Sequence, residues 1–214
     1  MRTFVSPIGY DTRRVTRPVL NEGLEPDDRI VLLRPATESD TERATQTIAD
    51  VEQMLHEIEP NATVAVERIE SSEFERAVFD CCAVLDATDG DRIVSLGGGA
   101  RDVLLPLTVA TLAYAPAVDT ALFFSDVDGS VQEWTLPRLT ATVPERATET
   151  VATIDAADGQ LSLSEIADRT DVSKSTVVRH VNELEAQGLV ETTHERTAKY
   201  VTDSFTGRLL SRAP

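Results

Sequence analysis

Arg92-Ile93-Val94-Ser95-Leu96-Gly97-Gly98-Gly99-Ala100-Arg101-Asp102 is a short apolar run that breaks into three glycines and an arginine just ahead of a second apolar segment. It reads as strand, tight turn and helix start. Glycine at such a junction lets the backbone take positive φ and approach another group closely, and the first turn of the following helix leaves amide N–H groups unpaired. Such a turn suits an anion, and Arg101 adds a permanently charged planar fork that can grip a pair of phosphate oxygens. The alternative reading is a sharp turn only, with Arg101 paired to a surface carboxylate. The dinucleotide fingerprint is not met, because Asp102 stands where its last glycine belongs, and no Gly-Lys-Ser/Thr follows the turn as a P-loop requires.

Working outward, strand-like and helix-like segments alternate. Thr3-Phe4-Val5 is a short buried strand that runs into the loop Ser6-Pro7-Ile8-Gly9-Tyr10-Asp11, and a helix is expected from Thr12 to Asn21, with Pro18 either bending it or marking its first turn. Strands are expected at Arg29 to Leu33, Ala62 to Val66, the Ile93 run, Thr120 to Phe124 and Val131 to Leu136. Helices are expected from Ser39 to Ile58, with Ala44, Ile48, Val51, Leu55 and Ile58 on one face, from Ser72 to Ala87, carrying Phe74, Ala77, Val78, Cys81 and Leu85, and from Ala100 to Ala115. This rhythm specifies a parallel, doubly wound α/β sheet, whose ligands sit beyond the carboxyl ends of the strands. If the first and fourth strands are neighbours, loops 6–11 and 97–101 line one pocket.

The stretch Leu136 to Pro144 has two prolines and no amphipathic period, so residues 137–147 are expected to be a linker between a domain at 1–136 and a smaller one at 148–214. The second domain starts with a short helix at Thr148 to Ala157. A further helix follows, in which Ser162 and Glu165 have capping-box spacing, then the turn Asp171-Val172-Ser173 and a third helix from Lys174 to Glu185 with Val177, Val181 and Leu184 inward. Leu189 to Thr193 and Lys199 to Thr202 read as a hairpin around Glu195-Arg196-Thr197. Ser173 caps the third helix and places Lys174, Ser175, Thr176, Arg179 and His180 on an exposed N-terminal face suited to the major groove. Arg179 is the candidate base reader, because arginine takes guanine O6 and N7 together. Ser175, Thr176, and Arg196 and Lys199 at the hairpin, are candidate phosphate contacts.

The 214 residues carry a net charge of −17, which would ordinarily disfavour nucleic acid. Yet Lys174 and Lys199 are the two lysines among 20 basic residues, and acids are spread along the whole chain. That composition resembles proteins of salt-accumulating halophiles, where global charge reports the solvent and not the partner. No acid lies between Ser173 and Asn182. The uncharged stretch Val103 to Val118 is too short and too polar for the ~20 apolar residues of a membrane span, and no leader pattern opens the chain, so a cytoplasmic protein is expected. Adjacent Cys81 and Cys82 suit core thiols, and His56, His180 and His194 show no ligand spacing, so no metal is expected.

Taken together, the first loop, the Gly98-Gly99-Ala100-Arg101 signature and the winged-helix pattern from Leu163 to Val190 resemble the CRISPR-associated transcriptional regulators that join an N-terminal CARF domain to a winged helix-turn-helix. The resemblance covers nearly the whole length. It implies a Rossmann-like homodimer that holds cyclic oligoadenylate, most simply cyclic tetra-adenylate, as a regulatory ligand and not a cofactor. Ser6, Gly9, Gly97, Gly98, Gly99 and Arg101 are its expected contacts, and double-stranded promoter DNA is the second partner. Two other functions are compatible with the same residues. One is a ring nuclease that cuts the cyclic ligand, although neither pocket loop offers a lysine or histidine to support that chemistry. The other is a halophile repressor sensing a different anion.

Overall fold

A computed structural model describes residues 1–36, 42–157, 159–195 and 198–212. The chain divides into two units, Met1–Thr135 and Leu136–Pro214.

In the first unit, β1 (Arg2–Pro7), β2 (Arg29–Pro35), β3 (Thr63–Ile69), β4 (Asp91–Ser95), β5 (Thr120–Phe124) and β6 (Val131–Glu133) form one sheet in the order β3-β2-β1-β4-β5-β6. The first five strands are parallel, and β6 runs antiparallel to β5. Between them lie α1 (Arg13–Glu22), α2 (Glu42–Ile58), α3 (Phe74–Asp86) and α4 (Arg101–Ala113). Strand residues alternate between two cores, as a sheet covered on both faces requires. Phe4, Ile30, Leu32, Ile93 and Leu122 pack with Val15 and Val19 of α1 and with Val51 and Leu55 of α2. Val5, Val31, Leu33 and Val94 pack with Ala77, Cys81 and Leu85 of α3 and with Val103, Leu107 and Ala110 of α4.

The first and fourth strands are neighbours, with Val5 opposite Val94. The helices after β1 and β4 cover opposite faces of the sheet, so the winding reverses between these two strands. Such a reversal places a crevice at the carboxyl edge, by the two outgoing loops.

Several boundaries differ from the reading above. β1 continues through Ser6 and Pro7 because both keep partners in β2, Leu32 and Leu33. Pro18 lies inside α1 and is buried, so it marks no helix start. The beginning of the helix expected from Ser39 falls on residues 37–41, outside the described residues. Ile58 and Phe74, expected on inward faces, are 50% and 58% exposed; Ile58 is the last residue of α2 and Phe74 the first of α3. β6 stops at Glu133, after which Trp134 stacks on Phe123 with ring centroids 4.3 Å apart. Cys81 is buried, Cys82 is half-buried and both are free thiols; burial pushes the Cys81 thiol up to about 12. Among the described residues no helix is long and apolar enough to cross a membrane.

The second unit contains α5 (Thr148–Asp155), β7 (Leu161–Ser162), α6 (Leu163–Thr170), α7 (Lys174–Ala186), β8 (Val190–Glu195), β9 (Ala198–Asp203) and α8 (Phe205–Leu210), with sheet order β7-β9-β8. The capping box forms: Ser162 Oγ accepts from the Glu165 amide at 3.2 Å, and Glu165 Oε2 accepts from the Ser162 amide at 2.8 Å. α6 ends on Asp171 in the left-handed region, φ 52°, a conformation aspartate tolerates better than most side chains. The stretch read as a linker belongs to this unit. Ala147 is fully buried in its core, and the Arg138 amide donates to Thr206 Oγ1 at 3.0 Å. Two prolines and a missing period marked an irregular segment, but an irregular segment can still be packed.

Candidate functional site

In the first unit the loops after β1 and β4 close on one another at the carboxyl edge. A Cβ at Gly9 would stand 3.4 Å from Gly99 Cα, in ordinary contact. Gly99 has φ +90°, and a Cβ there would meet Pro7 Cβ at 2.5 Å, so both its conformation and its surroundings demand glycine. Gly97 is needed for closeness alone, since a Cβ would fall 2.4 Å from Phe124 Cβ and 2.5 Å from its backbone nitrogen. Gly98 lies beneath the Arg14 side chain. Arg14 in turn is fixed, donating to the Gly97 carbonyl at 3.1 Å and pairing with Asp126 at 2.7 Å.

A cavity of about 440 Å³ opens here, lined by Ile8, Gly9, Tyr10, Asp11, Arg14, Arg43, Gly99 and Ala100. α4 starts at its rim with Ala100 as N-cap, so no side chain caps the first turn, and its outward amides keep the partial positive charge of a helix start. Arg13 grips Asp11 with two hydrogen bonds of 2.9 Å and holds that carboxyl below the usual range.

Of the six residues expected to contact a ligand, Gly9 and Gly99 line this cavity, and Arg101 is exposed at the first position of α4, next to Ala100. Gly97 and Gly98 are buried and shape the turn from below. Ser6 is 2% exposed inside β1, its hydroxyl directed at the Pro7 carbonyl, so it presents nothing to the crevice. The reading missed Tyr10, Arg14 and Arg43. Tyr10 lay inside the quoted loop, and the Arg13-Arg14 pair directly after it was a readable sign of positive charge at a helix start. Arg43 comes from a different element, and its guanidinium sits 4.4 Å from the Tyr10 ring centroid.

In the second unit, Ser173 Oγ accepts from the Thr176 amide at 3.2 Å and lies 2.9 Å from both the Ser175 and Thr176 hydroxyls, which fixes the start of α7. Val177, Val181 and Leu184 are fully buried beneath it. The exposed face carries Lys174, Ser175, Val178, Arg179 and Asn182, with Thr176 half-buried. Val178 and Asn182 follow Lys174 at successive intervals of four and were legible from helical spacing alone.

His180 corrects the expectation. It is 5% exposed, and its Nδ1 lies 2.9 Å from Thr150 Oγ1 of α5. Burial, and after it the neighbouring Arg179 charge, lowers its pKa and favours the neutral ring. It is a core contact between helices and does not belong to the exposed face. Lys199 also differs, because its ammonium pairs with Glu185 of α7 at 3.0 Å and ties the hairpin to that helix. Arg196 lies outside the described residues. Among the described residues no cluster of three histidine, cysteine or acidic side chains could hold a metal ion.

Comparison with known proteins follows the same division. Residues 143–199 match the MarR family model, and residues 2–124 match the model of the Csa3 CRISPR-associated Rossmann-like domain. No curated protein matches the chain. Among solved structures, HlyU from Vibrio cholerae is 29% identical over 34% of this chain and 77% of its own, with a TM-score of 0.30. Csm6 from Enterococcus italicus, solved with cyclic hexa-2′-fluoro-hexa-dAMP, is 10% identical over 87% of this chain and 50% of its own, TM-score 0.48. Can2 from Sulfobacillus thermosulfidooxidans, solved with cyclic tetra-adenylate, is 10% identical over 98% of this chain and 63% of its own, TM-score 0.45. Since the span 2–124 takes in more than half of the 214 residues, the chain belongs to the Csa3 CRISPR-associated Rossmann-like domain family, with a MarR-type winged helix joined to that domain.

Proposed function

We propose that this chain is a CRISPR-associated transcription regulator that takes up cyclic oligoadenylate at the carboxyl edge of its parallel sheet and grips promoter DNA with α7. The observation that carries the reading is the crevice between the β1 and β4 loops. There a cavity of about 440 Å³, two guanidinium groups and an uncapped helix start converge at the point where the winding reverses. Family membership supports the same assignment. Arg101, exposed beside Ala100, is the group we place at the rim against a phosphate.

One such cavity accommodates only part of a four-nucleotide ring, so ring binding calls for a second copy. A twofold homodimer would present two identical glycine turns to a ligand that is itself rotationally symmetric. The outward face of α4 supports this arrangement: Leu105 and Val109, 56% and 42% exposed, continue from Arg101 at intervals of four and offer an apolar stripe for the same helix of a partner. We assign the ligand an effector role. Among the described residues the cavity lining contains no lysine or histidine to act on a phosphodiester.

For DNA, the exposed face of α7 carries Lys174 and Arg179 without an acid among Lys174, Ser175, Val178, Arg179 and Asn182, in a chain whose net charge is −17. Gel-shift titration of the region upstream of its own gene, in concentrated potassium salt, tests this half. The full chain is expected to retain the fragment. Arg179→Ala is expected to weaken retention on the order of ten- to hundredfold, the 1–3 kcal/mol typical of a bidentate base contact. DNA that runs free of the unaltered protein at every salt concentration would contradict the assignment.

A further inference from the structure

The cavity contains two kinds of group that ask for different parts of a ligand. Arg14 is held by the Gly97 carbonyl at 3.1 Å and by Asp126 at 2.7 Å, a fixed charge beside the α4 start, which suits a phosphate. Tyr10 and Arg43 are arranged otherwise. The Tyr10 ring is 51% exposed, the Arg43 guanidinium lies over it at 4.4 Å from the centroid, and both border the same cavity as Gly9 and Gly99. The two form a cation–π pair, and tyrosine rings and arginine guanidinium groups are the side chains on which proteins stack an unstacked nucleobase. Gly9 and Gly99, where the two loops come within contact, carry no side chain and border the same cavity.

The geometry points to Tyr10 and Arg43 as a nucleobase platform, which makes the ligand of this cavity a base-bearing phosphodiester and not a bare phosphate or other small anion. The inference rests on the effector reading above and adds to it the part of the ligand that is recognised. Stacking reads the π-face that every base presents, so the platform selects for the presence of a base more than for its identity.

Calorimetric titration of the full chain with cyclic tetra-adenylate and, separately, with inorganic tripolyphosphate tests it. Tyr10→Ala is expected to weaken cyclic tetra-adenylate binding about tenfold or more, while Tyr10→Phe, which keeps the ring, stays near the unaltered protein. Arg43→Lys, which keeps the charge and loses the plane, is expected to weaken it as well. Tripolyphosphate binding is expected to be the same in all four proteins. Cyclic tetra-adenylate binding unchanged in Tyr10→Ala, or an equal loss for both ligands, would overturn the platform while leaving the effector site intact. Failure of the unaltered protein to take up cyclic tetra-adenylate would overturn the effector reading, and the platform with it.

Discussion

Asp28→Ala is expected to destabilise the first unit by about 3–5 kcal/mol, the range for removing one member of a buried charge pair and stranding the other. The Asp28 side chain is 0% exposed and accepts from Arg2 NH2 at 2.6 Å, from the Arg2 amide at 3.0 Å and from the Glu25 amide at 2.8 Å. Arg2 also donates to the carbonyls of Glu22 and Gly23, so this one carboxylate gathers the start of β1, the end of α1 and the entry to β2. Against the 5–15 kcal/mol that a domain has in total, the loss is a large share. Urea unfolding followed by circular dichroism measures it, and a loss below about 1 kcal/mol would place the pair in the class of weak surface bridges.

The same group makes stability depend on acid. Burial pushes the Asp28 carboxyl up, but hydrogen bonds from Arg2 and from the Glu25 and Arg2 amides outweigh it and hold the group below its ordinary value. A folded pKa below the unfolded one means that the contribution is complete above the unfolded carboxylate value, near 4, and is lost as pH falls through the folded one. The alanine variant is expected to show a shallower decline over that interval.

Gly97→Ala is the second large effect expected. Its new Cβ would lie 2.4 Å from Phe124 Cβ and 2.5 Å from the Phe124 nitrogen, with no flexible side-chain end able to yield. The turn would have to move off β5, at a cost of about 1–3 kcal/mol for overpacking. Because Gly99 and Ala100 of the same turn line the cavity, ligand uptake is expected to fall with it. Gly23→Ala serves as the comparison. It replaces a positive-φ glycine, which Gly97 is not, and meets nothing within 4 Å, so it is expected to lose some stability and keep uptake. Thermal melts together with cyclic tetra-adenylate titration separate the two effects, and a Gly97→Ala protein that binds normally would show that the turn's exact seat on β5 is irrelevant to the site.

Where local chemistry determines structure, the chain was readable. Phe4-Val5, Ile30 to Leu33 and Ile93-Val94 are uninterrupted apolar runs, and only a strand covered on both faces uses such runs. The caps at Ser162 and Ser173 were readable because a serine hydroxyl at a helix start can accept from the amide three residues on. Ser6 was misplaced because two rungs of pairing with β2, invisible locally, carry β1 past it. His180 sits three residues after Val177, on the inward side, and only Thr150 of another helix explains why a polar ring is accepted there. Lys199 was assigned by its position on a hairpin, whereas Glu185 of α7 decides where its ammonium goes. Tyr10 and Arg43 meet because α2 returns over the loop after β1, a consequence of winding and not of spacing.

Everything functional in this account turns on a coupling between a ligand held by one unit and DNA held by the other, since an effector shifts DNA affinity only by its differential binding to the two states. The direct measurement is a fluorescence-anisotropy titration of the upstream DNA fragment with the full chain, in concentrated potassium salt, with and without saturating cyclic tetra-adenylate. The ligand is expected to change the DNA dissociation constant by about tenfold or more, in either direction, the equivalent of at least ~1.4 kcal/mol of coupling. Identical DNA binding curves with and without a ligand shown to be bound would contradict it.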